Sequence, residues 1–146
     1  MPTHFLLIAS QAESIDGEPI SSLEMARRRL TAKEWGLWAN TPHRNELKPE
    51  DIFIVYVTGA NGKQFVATAM AKEIQKDPKQ YLADGDALTD PPVAVVKLDD
   101  IRWFNEPLPI AALKEKLQFI PQGTAKWGCV LQRGVKKIKP TDADLI

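Results

Sequence analysis

Three short apolar runs constrain this chain most: FLLIA at residues 5–9, IFIVYV at 52–57 and VAVVKL at 93–98. Each is short, and the latter two are rich in branched or aromatic side chains, so all three read as strands. The first shows no polar alternation, as expected of a strand covered on both faces. Residues 65–71 (FVATAMA) return from the second run across Asn61-Gly62, a pair that favours a type I′ hairpin. Ser21 and Glu24 have the spacing of a capping box, with Ile20 and Met25 placed as a hydrophobic staple. The helix they open carries Leu23, Ala26 and Leu30 on one face. Arg27, Arg28 and Arg29 are consecutive and splay around that helix, which predicts a solvated face. Pro109 opens a second predicted helix, with Ile110, Leu113 and Leu117 on its buried side. Residues 129–131 and 135–138 predict a last hairpin around Arg133-Gly134, and Thr141 with Asp144 repeats the capping spacing before a short terminal helix. Residues 76–92 read as a polar loop. Strands that outnumber helices, with short connections, predict an α+β chain: a small, mostly antiparallel β-barrel with helices packed outside. The 146 residues read as a single domain over 1–146, without repeat or linker.

Charge and chemistry exclude more than they suggest. Nineteen basic residues balance nineteen acidic ones, so any polyanion contact must come from a local basic patch. The lone Cys129 leaves no internal disulfide, and no run approaches the ~20 apolar residues of a membrane span. The N-terminus lacks a basic n-region and a long apolar h-region, and a cytoplasmic location is expected. His4, His43 and Cys129 are too few and too scattered for zinc. Asp84, Asp86 and Asp90 lack the remaining ligands of a calcium loop and read as a solvated turn. Asp99 and Asp100 point to opposite faces of a strand, which disfavours paired-carboxylate catalysis. No nucleophile elbow and no phosphate-cradling glycine loop is present. No metal, cofactor or catalytic group is therefore expected.

One stretch stands apart. KEWGLWANTPHRNELK, residues 33–48, sets Trp35 and Trp38 three positions apart and then breaks into polar residues. Trp38 falls where helix gives way to loop, so it is either core or the wall of a site; Trp35, one turn back, reads first as core. Around this stretch the N-terminal half, with FLLIAS, LWANTPHRNEL and IFIVYVTGANGKQFVATAMA in order, resembles the YTH and EVE branches of the PUA-like superfamily. The C-terminal half, IAALKEKLQFIPQGTAKWGCVLQRGVKKIKPTDADLI, is similar to the ending of EVE domains.

The resemblance implies a non-catalytic reader of a modified, flipped base in DNA or RNA. Trp38 matches the Trp that walls an aromatic cage, and a stacked base gains ~1–3 kcal/mol from such a ring. Asn40, Thr41 and Asn45 follow on the same loop, and Asn45 matches an Asn of the family pattern or is a turn residue capping its own backbone. Ser10 and Gln11 correspond by position to polar lining groups. The pocket is expected between the end of the first strand, the Trp38 loop and the loop before Pro91. YTH domains bring a second Trp from that last loop. The corresponding residues here have none, so Tyr81 or Leu88 would take its place and the modification stays open. Trp103 and Trp127 are expected to pack the barrel. Arg133 matches an Arg of the family ending and, with Lys136, Lys137 and Lys139, would contact phosphates; a charged edge that resists aggregation is the alternative for the lysines. A restriction or RNA-processing partner is implied by analogy. Two other readings remain: a hydrolase or nuclease on the same scaffold, as in the ASCH group, and a protein-binding module.

Overall fold

The computed structural model describes residues 3–39, 41–58, 63–76, 81–88, 91–110 and 135–146. In chain order these form β1 (His4–Ala9), β2 (Ala12–Glu13), β3 (Pro19–Ile20), α1 (Ser22–Ala32), β4 (Glu34–Leu37), β5 (Ile52–Val57), β6 (Gln64–Lys76), β7 (Ala94–Pro109), β8 (Val135–Ile138) and α2 (Pro140–Leu145). Six strands make one sheet in the order β4-β7-β6-β5-β1-β8, and β2 with β3 forms a separate ribbon. β1 and β5 run parallel, and the other pairs in the sheet run antiparallel. Register shifts in the β5–β6 pair and at three points in the β6–β7 pair bend the ladder, as bulges do. The sheet curls into a half-barrel, with two short helices among the described residues.

β1 explains its own sequence. Phe5, Leu7 and Ala9 enter one apolar cluster with Trp35, Phe53, Val55 and the α1 residues Ala26 and Leu30. Leu6 and Ile8 enter a second with Ile54, Tyr56, Phe65 and Ile138, against which Ala143 and Ile146 pack. Alternate side chains thus go to opposite faces, and both faces are covered.

At α1 the Ser21 hydroxyl accepts the Glu24 N–H at 3.1 Å, as the capping box predicts. The buried stripe is Ser22, Met25, Ala26, Arg29 and Leu30, whereas Leu23 is 44% exposed. Of the expected apolar face, Ala26 and Leu30 are buried as predicted and only Leu23 is corrected. Lys33 ends the helix in the left-handed region (φ 59°), and its N–H bonds the Arg29 and Leu30 carbonyls. Trp35 consequently sits on a strand, not on the helix. β7 runs well past the expected 98 and ends at Pro109, and Ile110 after it is buried; the rest of the expected second helix falls on residues 111–134, with Leu113, Leu117, Trp127, Cys129 and Arg133, which lie outside the described residues, as do Asn61 and Gly62. β8 pairs with β1. Thr141 lies inside α2, whose N-cap is Lys139 and whose first turn is started by Pro140. Trp103, expected to pack the barrel, is 45% exposed. No helix among the described residues is long and apolar enough to cross a membrane.

Candidate functional site

Beyond Leu37 the chain leaves the sheet, and Trp38 folds its ring back over the strand it has just left. Gly36 makes room for it: a Cβ there would stand 2.6 Å from Trp38 Cη2 and 3.0 Å from Cζ3. The turn that follows is tied at both ends, since the Trp38 N–H donates to Thr41 Oγ1 at 2.8 Å and the Thr41 N–H to the Trp38 carbonyl at 2.9 Å. The Thr41 hydroxyl thus holds the turn. It was expected to face a ligand.

Tyr81 meets the partly buried Trp38 ring edge-on, with centroids 6.2 Å apart and planes at 84°. Its hydroxyl accepts the Gly36 N–H at 3.1 Å and donates to Asp84 Oδ1 at 3.1 Å. Burial pushes the Tyr81 phenol above the ordinary tyrosine range, with Arg29 pulling the other way. Asp84 also accepts from Arg29 Nε at 2.7 Å and Nη2 at 3.2 Å. The Arg29 guanidinium lies 4.9 Å from the Trp35 ring centroid and 5.4 Å from that of Trp38. Trp35 is 1% exposed and belongs to the core.

These contacts correct two expectations in part. Arg27 is exposed as expected and pairs with Glu24, but Arg28 is half-buried on Glu24, the Asp84 carbonyl and Asp86, and Arg29 is buried. In the Asp84–Asp86 turn Asp86 is exposed as expected, whereas Asp84 is 3% exposed and satisfied by Arg29 and Tyr81. Asp90 lies outside the described residues. Arg29 and Asp84 are the site residues that the sequence reading missed. One signal was available: Arg29 falls three and four positions after Ala26 and Met25, on the buried stripe.

The remaining candidates are spread out. Ser10 and Gln11 are exposed just past β1; they connect to the site through the β2–β3 ribbon, where the Glu13 carbonyl accepts the Leu88 N–H and the Ile15 N–H donates to Asp86. Leu88 is 59% exposed, so the aromatic that meets Trp38 is Tyr81. Asn40 lies outside the described residues. Asn45 is exposed, accepts from Arg44 Nη1 at 3.1 Å, and lines a cleft of ≈ 570 Å³ with Arg44, Leu47, Ile74, Lys76 and Val93. Among the described candidate residues only Asn45 lines that cleft. It therefore differs from the pocket expected around Ser10 and Trp38. Lys136 and Lys137 sit on β8, the edge strand among the described residues, with Lys137 Nζ 3.5 Å from Glu46 Oε1, and Lys139 is exposed at the start of α2.

The arrangement suits recognition. Asp84 is engaged by a cation, and Tyr81 uses its hydroxyl to hold β4. Trp38 and Tyr81 present aromatic surface of fixed orientation.

The comparisons with known proteins agree with the fold. The EVE domain model matches residues 18–146. Human THYN1, solved in complex with 5-methylcytosine-containing DNA, superposes with a TM-score of 0.63 at 16% identity, covering 98% of this chain and 94% of its own. The N-terminal domain of Staphylothermus marinus McrB gives 0.65 at 10% identity, over 100% and 93%. Rpa0253 from Rhodopseudomonas palustris gives 0.57 at 15%, over 99% and 90%. No curated protein matches. With its half-barrel architecture and a family match that takes in α1, the Trp38 turn and all of the β5–β8 sheet, the chain belongs to the EVE domain family.

Proposed function

We propose that this protein is a non-catalytic DNA-binding module that takes a modified base out of the stack and holds it against Trp38 and Tyr81. The observation that carries the reading is the right-angled Trp38–Tyr81 pair, fixed from behind by Gly36, Asp84 and Arg29. An aromatic face stacks on any base, and a second ring at right angles gives the edge of that base a wall. A methyl group seated against such a wall adds ~0.8 kcal/mol of apolar burial, enough to discriminate about fourfold by itself. The complex of the structurally similar human THYN1 with 5-methylcytosine-containing DNA supports DNA over RNA and 5-methylcytosine as the first base to test. Tyr81 retains its proton and Asp84 is ion-paired, which supports binding over hydrolysis, since a hydrolase needs an ionisable group ready to move a proton at the substrate. A cytoplasmic role beside a restriction or RNA-processing partner belongs to the same proposal.

Tryptophan fluorescence titration with short oligonucleotides that differ only in one 5-methyl group tests it. The expected result is tighter binding of the methylated strand, abolished in Trp38→Ala. Equal binding of both strands by the wild-type chain removes the reading.

A further inference from the structure

The cleft beside Trp38 carries a charge that its lining does not balance among the described residues. Arg44 and Lys76 line it with the Asn45 amide, Leu47, Ile74 and Val93 form its apolar surface, and none of the described lining residues is acidic. Neither cation has an ion-pair partner among the described residues. Arg44 directs Nε to the Ala39 carbonyl at 3.2 Å and Nη1 to Asn45 Oδ1 at 3.1 Å, contacts that fix its plane and leave its charge in place. At ≈ 570 Å³ the cleft is the size of a small-molecule site, which typically spans ~300–1,000 Å³. Two cations over an apolar surface complement an anion joined to a flat apolar body. A nucleotide has that form.

The position of the cleft identifies which nucleotide. The Val93 N–H donates to the Leu37 carbonyl at 2.8 Å, and Arg44 reaches the Ala39 carbonyl. Leu37 and Ala39 are the two chain neighbours of Trp38. The cleft therefore adjoins the Trp38 backbone from both sides.

We propose that this cleft is a second nucleotide subsite. It holds the nucleotide next to the base read by Trp38, with the phosphate on Arg44 and Lys76 and the base against Leu47 and Val93. The inference rests on the base-reading role proposed for Trp38. It adds that recognition extends over two consecutive nucleotides, with capture of the backbone in the cleft setting which base reaches the aromatic pair.

Trinucleotides with central 5-methylcytosine or cytosine test it, each with natural linkages or with one flanking phosphate replaced by a neutral methylphosphonate. They are titrated into the wild-type chain, Lys76→Gln and Arg44→Gln. Neutralising one of the two flanking phosphates should weaken wild-type binding about fivefold, as for an exposed charge pair. Lys76→Gln should lose as much and become indifferent to that same neutralisation, and its salt slope should flatten by about one unit. Because Lys76 is exposed, a wild-type unfolding curve for Lys76→Gln keeps the result interpretable even where Arg44→Gln loosens the turn. Losses that add fully, or no loss from either change, overturn the subsite. Deoxycytidine monophosphate that binds through Lys76 as tightly as the trinucleotide would assign the cleft to a free nucleotide and overturn its placement beside the read base. The two proposals fail separately: a methyl preference without phosphate coupling removes the cleft alone, and coupling without a methyl preference removes the role of Trp38 alone.

Discussion

Arg29 and Asp84 form an ion pair sealed between α1 and the turn after Tyr81, with Nε to Oδ1 at 2.7 Å and side chains only 10% and 4% exposed. Removing one partner of such a pair leaves the other charge buried without compensation, at a cost of ~3–5 kcal/mol. Asp84→Ala should therefore lose stability in that range, as read by urea unfolding. Asp84→Asn, which keeps an acceptor for the Tyr81 hydroxyl, should lose less. A loss in Asp84→Ala below ~1 kcal/mol would mean that water reaches Arg29 and that the pair behaves like a surface bridge.

Gly36→Ala should move Trp38 without unfolding the chain. The new Cβ would occupy the space of the indole edge at 2.6 Å, and the ring is held there by Tyr81 and Arg29. Of the two, the side chain has to give, because β4 is laddered to β7 from Glu34 to Leu37. The expected signature is a shifted tryptophan emission and weaker binding of the modified base, with a melting curve close to that of the wild type. Unchanged emission would show that the ring does not rest on Gly36 in solution.

What the sequence revealed and what it concealed divide along physical lines. The FLLIA and IFIVYV strands and the Ser21 cap were legible because each depends on neighbours in the chain, and the order of motifs pointed to the EVE family. The end of α1 was misjudged because nothing in LTAKEW marks Lys33 as the residue that turns left-handed; without that stop, Trp35 and Trp38 appear to share a helix. The Arg29–Asp84 pair was invisible for a different reason. Its partners are 55 residues apart, and an arginine in a run of three looks solvated until a carboxylate from a distant turn arrives to bury it.

Trp35 and Trp38 should separate stability from binding. Trp35→Ala removes a side chain that is 1% exposed and should cost ~3–5 kcal/mol of stability. Trp38 is only partly buried, so Trp38→Ala should cost clearly less stability while weakening modified-base binding by ~1–3 kcal/mol. Parallel denaturation and titration of the two variants check this. Equal stability losses would place Trp38 in the core after all.

Alkaline pH should report on both tyrosines of the chain. Burial raises Tyr56 to about 12 and lifts Tyr81 above the ordinary range as well. A phenol whose folded-state pKa lies above its unfolded value stabilises the fold fully below about pH 10, the unfolded value. Above that the unfolded chain releases protons that the folded chain keeps, so stability falls as pH rises towards the folded values. The native protein should thus show almost no phenolate absorbance at about pH 10–10.5, where free tyrosine is half ionised or more. Phenolate appearing at the free-tyrosine midpoint without unfolding would show that one of the two phenols is open to water, and its persistence in Tyr56→Phe would assign it to Tyr81.

Salt should distinguish the aromatic pair from the basic strand β8. Each phosphate neutralised contributes about −0.7 to −0.9 to the slope of log K against log salt, so two to four contacts give about −1.5 to −3.5. On β8, Lys136 has no ion pair among the described residues, whereas Lys137 already stands 3.5 Å from Glu46. Lys136→Ala should therefore flatten the slope by about one unit and Lys137→Ala by less, and Arg133→Ala should behave like Lys136→Ala. The preference for the methylated base should persist across the series, because it arises where Trp38 meets Tyr81 and involves no phosphate. Paired titrations of methylated and unmethylated oligonucleotides over a range of salt give both quantities at once. A methyl preference that fades together with the affinity would transfer base reading from Trp38 to the lysines of β8.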